Sequence, residues 1–244
     1  VQACFLLGPA GSGKTFRCLA EIRAALRRNP GGAPPGRPLL LLAPKQATFQ
    51  LERQLLAPGE PAGFERLRIY SFDRLARHVL ETLKVAPPPL LSEEGRIMVL
   101  RALLRRHEGE LARFCGSAAR AGFAQELGAQ LAELQQHGLG PAKLRDLANA
   151  RETGRELAAK LRDLALLLEK YSDWLARHQL QDAHQLLDFA TAALREAART
   201  GDARVAVEAL WLDGFAEMTP QELGLLAAMA PFCGRATLAF CLPA

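Results

Sequence analysis

Residues 1–15 read VQACFLLGPAGSGKT, an apolar run that stops at a glycine-rich loop closed by lysine and threonine. Gly8-Pro9-Ala10-Gly11-Ser12-Gly13-Lys14-Thr15 satisfies GxxxxGK[ST] in full. Its flanks give the pattern meaning: a strand-like run precedes it and a helix-forming run, TFRCLAEIRAALRR (15–28), follows it. Glycines let backbone amides turn inward around phosphate oxygens, and a helix N-terminus adds its dipole. In that arrangement Lys14 reaches the β- and γ-phosphates and the Thr15 hydroxyl coordinates Mg²⁺. The stretch therefore predicts an ATP and Mg²⁺ site at a strand-to-helix turn.

Working outward, four more short apolar runs have the same character: 39–43 (LLLLA), 67–71 (LRIYS), 208–213 (EALWLD) and 235–241 (RATLAFC). With 3–7 (ACFLL) they read as parallel strands, hydrophobic on both faces. The first helical run closes at the breaker cluster NPGGAPPGRP (29–38) before the second strand, the spacing of a right-handed crossover unit. From Ser92 to about Thr200 the character changes. Leu, Ala, Arg and Glu dominate, apolar residues recur at three and four, and strand-like alternation is absent. Ser92 followed by Glu93 and Glu94 opens one helix, and HGLGPAKL (137–144) is a loop before another. The expected architecture is α/β: a parallel sheet interrupted by an all-helical insertion of four to six helices. Its parts are 1–90 with the phosphate loop, 91–203 helical, and 204–244 with the returning strands.

Composition sets the class. The 244 residues are 49% hydrophobic, enough for a sizeable core and too apolar for a disordered chain. A net charge of +5 is compatible with a nucleic-acid partner, although the arginines are spread over many segments. Cys4, Cys18, Cys115, Cys233 and Cys241 form no CxxC pair and read as reduced core residues rather than a disulfide framework or a metal site. No apolar stretch approaches the roughly 18 residues of a membrane span, so no membrane partner is expected and the reading is cytoplasmic. The chain starts without methionine and stops just after a strand-like run, which reads as part of a longer parent.

A phosphate loop binds nucleotide; hydrolysis needs a second acidic site with a carboxylate beside it to activate water. Among the strand candidates that site falls in ALWLDGFAEMTPQE (209–222), where Asp213 stands in the metal-holding position and Gly214 follows it. In hydrolytic helicases glutamate normally occupies that next position.

Taken with the phosphate loop, the segments LLAPKQATFQLERQLL (41–56), RIYSFDRLARHVL (68–80), LLSEEGRIMVLRALL (90–104) and LWLDGFAEMTPQEL (210–223) occur in a telling order and spacing. The chain resembles, over essentially its whole length, the N-terminal helicase-like region of the AddB family. These are the B subunits of the bacterial AddAB ATP-dependent helicase-nucleases, related to RexB. The resemblance implies a superfamily-1-like fold, a RecA-like parallel sheet of the P-loop kind interrupted by a helical subdomain, with the AddA motor subunit as partner and a role in double-strand break repair in which this region reads a Chi-type signal on single-stranded DNA. The family's nuclease domain and iron-sulfur cluster lie far C-terminal, so the cysteines here are not assigned to a cluster. Against the DEFQD of a working motor this chain has DGFAE: Asp213 and Phe215 remain, Gly214 and Ala216 lack the required side chains, and Glu217 ends the motif. The expectation is ATP binding with little hydrolysis, and no ATPase, helicase or nuclease activity from this region alone.

In helicase-like domains the loop after the second strand contacts the DNA backbone, which points to Lys45, Gln46 and Thr48. Gln46 and Thr48 read equally as DNA contacts or as the approach to an amphipathic helix, and Phe49 reads as core. The resemblance implies that Phe72, Arg74 and Phe215 line the channel where a strand is read, an arginine there being able to grip guanine. The plainer reading buries Phe72 and pairs Arg74 with Asp73 or another carboxylate. Tyr171 and Trp174, at helical spacing, read as core, and the histidines as surface residues. Alternatives are an active half-motor, which lacks its carboxylate beside Asp213, and a small-molecule kinase, which the long helical insertion disfavours.

Overall fold

A computed structural model describes residues 2–28, 36–56, 64–86, 89–120, 122–182 and 185–242. Most of the 29–38 breaker cluster and His184 lie outside them. The chain begins with β1 (Gln2–Gly8), α1 (Lys14–Arg27), β2 (Leu39–Leu42), α2 (Thr48–Leu55), β3 (Leu67–Tyr70) and α3 (Phe72–Leu83). It continues through β4 (Leu90–Leu91), α4 (Glu93–Arg106), α5 (Phe123–Gln136), α6 (Pro141–Asn149), α7 (Arg155–Arg177) and β5 (Gln181–Asp182). Then come α8 (Leu186–Thr200), β6 (Val207–Leu212), α9 (Pro220–Met229) and β7 (Cys233–Cys241).

All five expected strands form, and they pair in parallel in the order β1-β7-β6-β2-β3. Every residue of β2 is buried, as a central strand with helices on both faces requires. One face packs Cys18, Leu19 and Ile22 of α1 and Leu51 and Leu55 of α2 against Leu39, Leu41, Ala209 and Trp211. The expectation of burial on both faces fails at β1. It pairs with β7 alone among the described residues, and Phe5 and Leu7 are 58% and 59% exposed. Hydrophobicity along a strand does not say whether the strand is central or at an edge.

Two compact units result: Val1–Ala86 with Leu187–Met218 and Glu222–Ala244, and Pro87–Leu186 with Thr219–Gln221. The sequence put all of 91–203 in the helical part, whereas α8 from Leu187 onward belongs to the sheet-bearing unit. The turn after α8 shows how it is held there: the Arg204 guanidinium donates to the carbonyls of Thr82 at 3.1 Å and Leu83 at 3.3 Å, at the end of α3. Apolar periodicity identifies a helix but not the body it packs on.

In the second unit, α4 starts where expected, with the Ser92 hydroxyl accepting the Gly95 N–H at 3.2 Å. Helix α6 starts after Gly140 with Pro141 in its first turn. Leu100, Leu104, Leu131, Leu144, Leu167 and Tyr171 centre the core of this unit, and Trp174 packs at its margin. Two polar anchors were not legible. The buried Arg96 pairs with Asp182 at 3.1 Å. The buried Asp163 carboxylate accepts the N–H groups of Ala112, Arg113 and Phe114 at 3.0, 2.7 and 2.9 Å. Asp182 lies on β5, whose two-residue parallel pairing with β4 is too short for any alternation to reveal.

Candidate functional site

Because the five main strands are parallel, their carboxyl ends share one edge, where open α/β sheets place their ligand sites. Strand β1 delivers the glycine-rich loop to this edge. Gly11 and Gly13 hold φ of +79° and +82°, left-handed values that turn the loop into α1 and that a side chain would oppose. The Lys14 ammonium folds over the loop, donating to the Gly8 carbonyl at 2.8 Å, the Pro9 carbonyl at 2.7 Å and the Ser12 hydroxyl at 3.2 Å. A phosphate oxygen offers the same ammonium a charged acceptor, and such bonds are roughly twice as strong as those to neutral carbonyls. Thr15 sits half-buried in the first turn of α1.

Two strands across from β1, β6 leads into Asp213. Its N–H donates to the Leu42 carbonyl at 3.1 Å, and the residue is 5% exposed. Below it lies Cys18 of α1. Burial first, and then the Asp213 and Glu21 carboxylates, push that thiol up to about 12, against a smaller downward pull from Arg17 and its own backbone. A thiol held protonated is a core group, not a nucleophile. Among the described residues no cluster of three or more His, Cys, Asp or Glu forms a metal cage. Magnesium needs no such cage, because the ion takes most of its positions from phosphates and water.

Gly214 adopts φ +85°, and a Cβ built on it would lie 3.3 Å from Pro44 Cδ. The position is therefore shaped for glycine both by its backbone and by its neighbour. Ala216 and Glu217 are exposed.

Glu21 is a residue that sequence reading missed. Its carboxylate accepts from Trp211 Nε1 at 3.1 Å, from the Thr237 hydroxyl at 2.9 Å and from Arg17 Nε at 3.2 Å. It thereby ties α1, which carries Lys14 and Thr15, to β6, which leads to Asp213, and to β7 between β6 and β1. Burial raises its pKa, but the three hydrogen bonds and the Arg17 charge outweigh burial and hold it below the usual carboxylate range. The available signal was a glutamate one helical turn after Arg17; its other two partners, Trp211 and Thr237, are 190 and 216 residues away and leave no local trace.

The DNA candidates divide. Lys45 and Gln46 are exposed, while the Thr48 hydroxyl donates to the Lys45 carbonyl at 2.9 Å where α2 begins. Phe49, expected in the core, is 69% exposed, because α2 turns Leu51 and Leu55 inward and leaves position 49 on the opposite side. Phe72 is 3% exposed and therefore presents no open face to a base. Its ring packs 5.2 Å from that of the half-buried Phe215, which it supports. The exposed Arg74 lies over Tyr70, its guanidinium carbon 5.5 Å from the ring centre. Pro44 against Gly214 and Phe72 against Phe215 bring the loops after β2 and β6 and the start of α3 together at the sheet's carboxyl edge. Of the cysteines only Cys18 and Cys233 are buried; Cys4, Cys115 and Cys241 are exposed, against the expectation of core positions. No helix of the described residues is long and apolar enough to cross a membrane.

A family model described as "ADDB, N-terminal" matches residues 5–244. The chain is 40% identical over 241 residues to the B subunit of an ATP-dependent helicase/deoxyribonuclease from Moorella thermoacetica, a match covering 97% of this chain and 20% of the relative. It is 38% identical over 244 residues to the protein of the same description in Symbiobacterium thermophilum, covering 98% and 20%. With the Heliobacterium modesticaldum protein of that description the identity is 38% over 242 residues, covering 98% and 19%. The chain thus spans about a fifth of the length of the curated relatives it matches.

Proposed function

This chain belongs to the family of AddB N-terminal regions, and from that premise we propose that it is a nucleotide-binding, non-hydrolytic, DNA-reading part of a helicase-nuclease. In this reading the sheet is RecA-like, of the superfamily-1 phosphate-loop kind, with the helical unit as its insertion. The loop Gly8–Thr15 holds ATP, and Thr15 and Asp213 hold Mg²⁺, which supplies charge neutralisation at the phosphates. Lys14 exchanges its loop carbonyls for phosphate oxygens. The observation that carries the non-hydrolytic reading is Gly214, which offers no carboxylate beside Asp213 and whose left-handed φ of +85° and close approach to Pro44 disfavour any side chain there.

DNA contact falls to the same edge: Lys45 for phosphate, Gln46 for hydrogen bonding, and Arg74 and Phe215 for an unpaired base. Phe72 acts from below by fixing Phe215, and Thr48 acts by fixing the turn that presents Lys45. The names of the relatives, which pair helicase with deoxyribonuclease, support DNA as the substrate of the assembly. The wider setting we propose is a cytoplasmic complex with an AddA-type motor that resects double-strand breaks and responds to a Chi-type sequence. Calorimetric titration with Mg-ATP tests the nucleotide part. Saturable binding that disappears in Lys14→Ala is expected; binding unaffected by that change would place the nucleotide elsewhere.

A further inference from the structure

The stretch 95–106 of α4, GRIMVLRALLRR, contains four arginines and no acid. Arg96 turns inward to Asp182 and to Gln135, while Val99, Leu100, Leu103 and Leu104 seat the helix in the core of the second unit. The remaining arginines, 101, 105 and 106, are all exposed and line a shallow groove with Met98 and Ala102. None of these three guanidinium groups meets a carboxylate among the described residues. Other helices of the unit look different. Arg145 of α6 pairs with Glu169 of α7 at 2.5 Å, Arg162 of α7 donates to Asn149 at 3.1 Å, and α7 interleaves both signs along its length.

A solvated helix face normally mixes charges in this interleaved way. Arg105 and Arg106 also lie in the last turn of α4, where the helix dipole favours cations. The dipole does not account for Arg101, a full turn earlier, or for Met98, which is 72% exposed beside it. Arg101 and Arg105 are about 6 Å apart along the helix axis, so the face offers a short row of forked donors suited to successive phosphates. Methionine at its end gives a soft apolar contact that an unpaired base can use.

We propose that this face of α4 binds the sugar-phosphate backbone of single-stranded DNA. The proposal rests on the DNA-acting reading above but on residues of the other unit. The test measures binding of an oligo-dT strand to the full-length protein across salt concentrations, comparing wild type with Arg101→Gln/Arg105→Gln/Arg106→Gln and with the corresponding triple lysine variant. For three lost phosphate contacts at about 0.7 each, the slope of log K against log salt becomes shallower by about 2. The lysine variant retains most of the slope. Unchanged affinity and slope in the glutamine variant would overturn the proposal. So would a loss seen only with blunt duplex, or a loss of assembly with the motor partner while strand binding is intact. A Lys45→Ala/Gln46→Ala variant separates the two ideas: if it binds like wild type while the arginine variant is weakened, the sheet-edge contacts fail and the α4 face stands. Loss in the Lys45/Gln46 variant alone overturns the α4 face and leaves the sheet-edge contacts standing.

Discussion

A side chain at position 214 would ride on a backbone at φ +85° and place its Cβ 3.3 Å from Pro44 Cδ. The left-handed conformation alone costs roughly 1–2 kcal/mol for a non-glycine residue. Gly214→Glu, the direct restoration of a motor-like motif, should therefore lower stability by about 1–3 kcal/mol in a denaturant titration and still release no phosphate from Mg-ATP. Gly214→Ala should carry most of the same stability loss, since the strain lies in the backbone and the first carbon. Glu21 gives a prediction with a sign. Its folded pKa lies below its unfolded value, so its contribution is complete above the ordinary carboxylate range and is lost as pH falls through the folded pKa. The difference in thermal midpoint between wild type and Glu21→Gln should be constant around neutrality and should shrink on acidification below about pH 4.3. A difference that grew in acid would mean that the Trp211 and Thr237 hydrogen bonds do not favour the charged form. The glycine-rich turn between β1 and α1 and the strand leading to Asp213 were legible at this scale because each is a short pattern local in sequence. Glu21, the exposure of Phe49 and the burial of Phe72 were not, since each depends on what a distant strand or the far side of a helix provides.

Strands and helices were legible from patterns of two and of three to four, and the caps at Ser92 and Gly140 fell where turn chemistry put them. What the patterns lacked was neighbourhood. The run ACFLL carries the hydrophobicity of a central strand, yet β1 keeps one edge unpaired among the described residues and exposes Phe5 and Leu7. It has none of the usual guards against edge pairing, with no proline, lysine or bulge between Gln2 and Gly8. The isolated chain is therefore expected to self-associate as its concentration rises. Phe5→Lys/Leu7→Lys, which charges that strand, leaves its backbone pairing with β7 in place but loses the stacking of Phe5 on Phe240 at 6.3 Å, and should keep it monomeric in light scattering. Equal self-association in both would exonerate β1. Helix α8 teaches a related lesson: its periodicity is that of the insertion helices, but Arg204 and the chain's return to β6 hold it with the sheet.

For the whole molecule, the sheet order sets the character of the site. It leaves β7 between the strand that carries the glycine-rich loop and the strand that leads into Asp213, so α1, clamped by Glu21, spans the two halves of the proposed nucleotide site. Membership of the AddB N-terminal family was legible from ordered segments, most of which are strand ends and loops that build this edge, while 90–104 opens the helical unit. The helical unit contributed the segment 90–104, but its cationic α4 face emerged only when the inward Arg96 could be told from its outward neighbours. The central claim is that this edge keeps its nucleotide grip while lacking the means to cleave. Phosphate release by the full-length protein, saturated with Mg-ATP and single-stranded DNA, tests it most directly beside Lys14→Ala. The expected rate equals the background of Lys14→Ala while bound ATP remains measurable in wild type; steady release that depends on Lys14 would contradict the account and make Glu217 the first residue to replace.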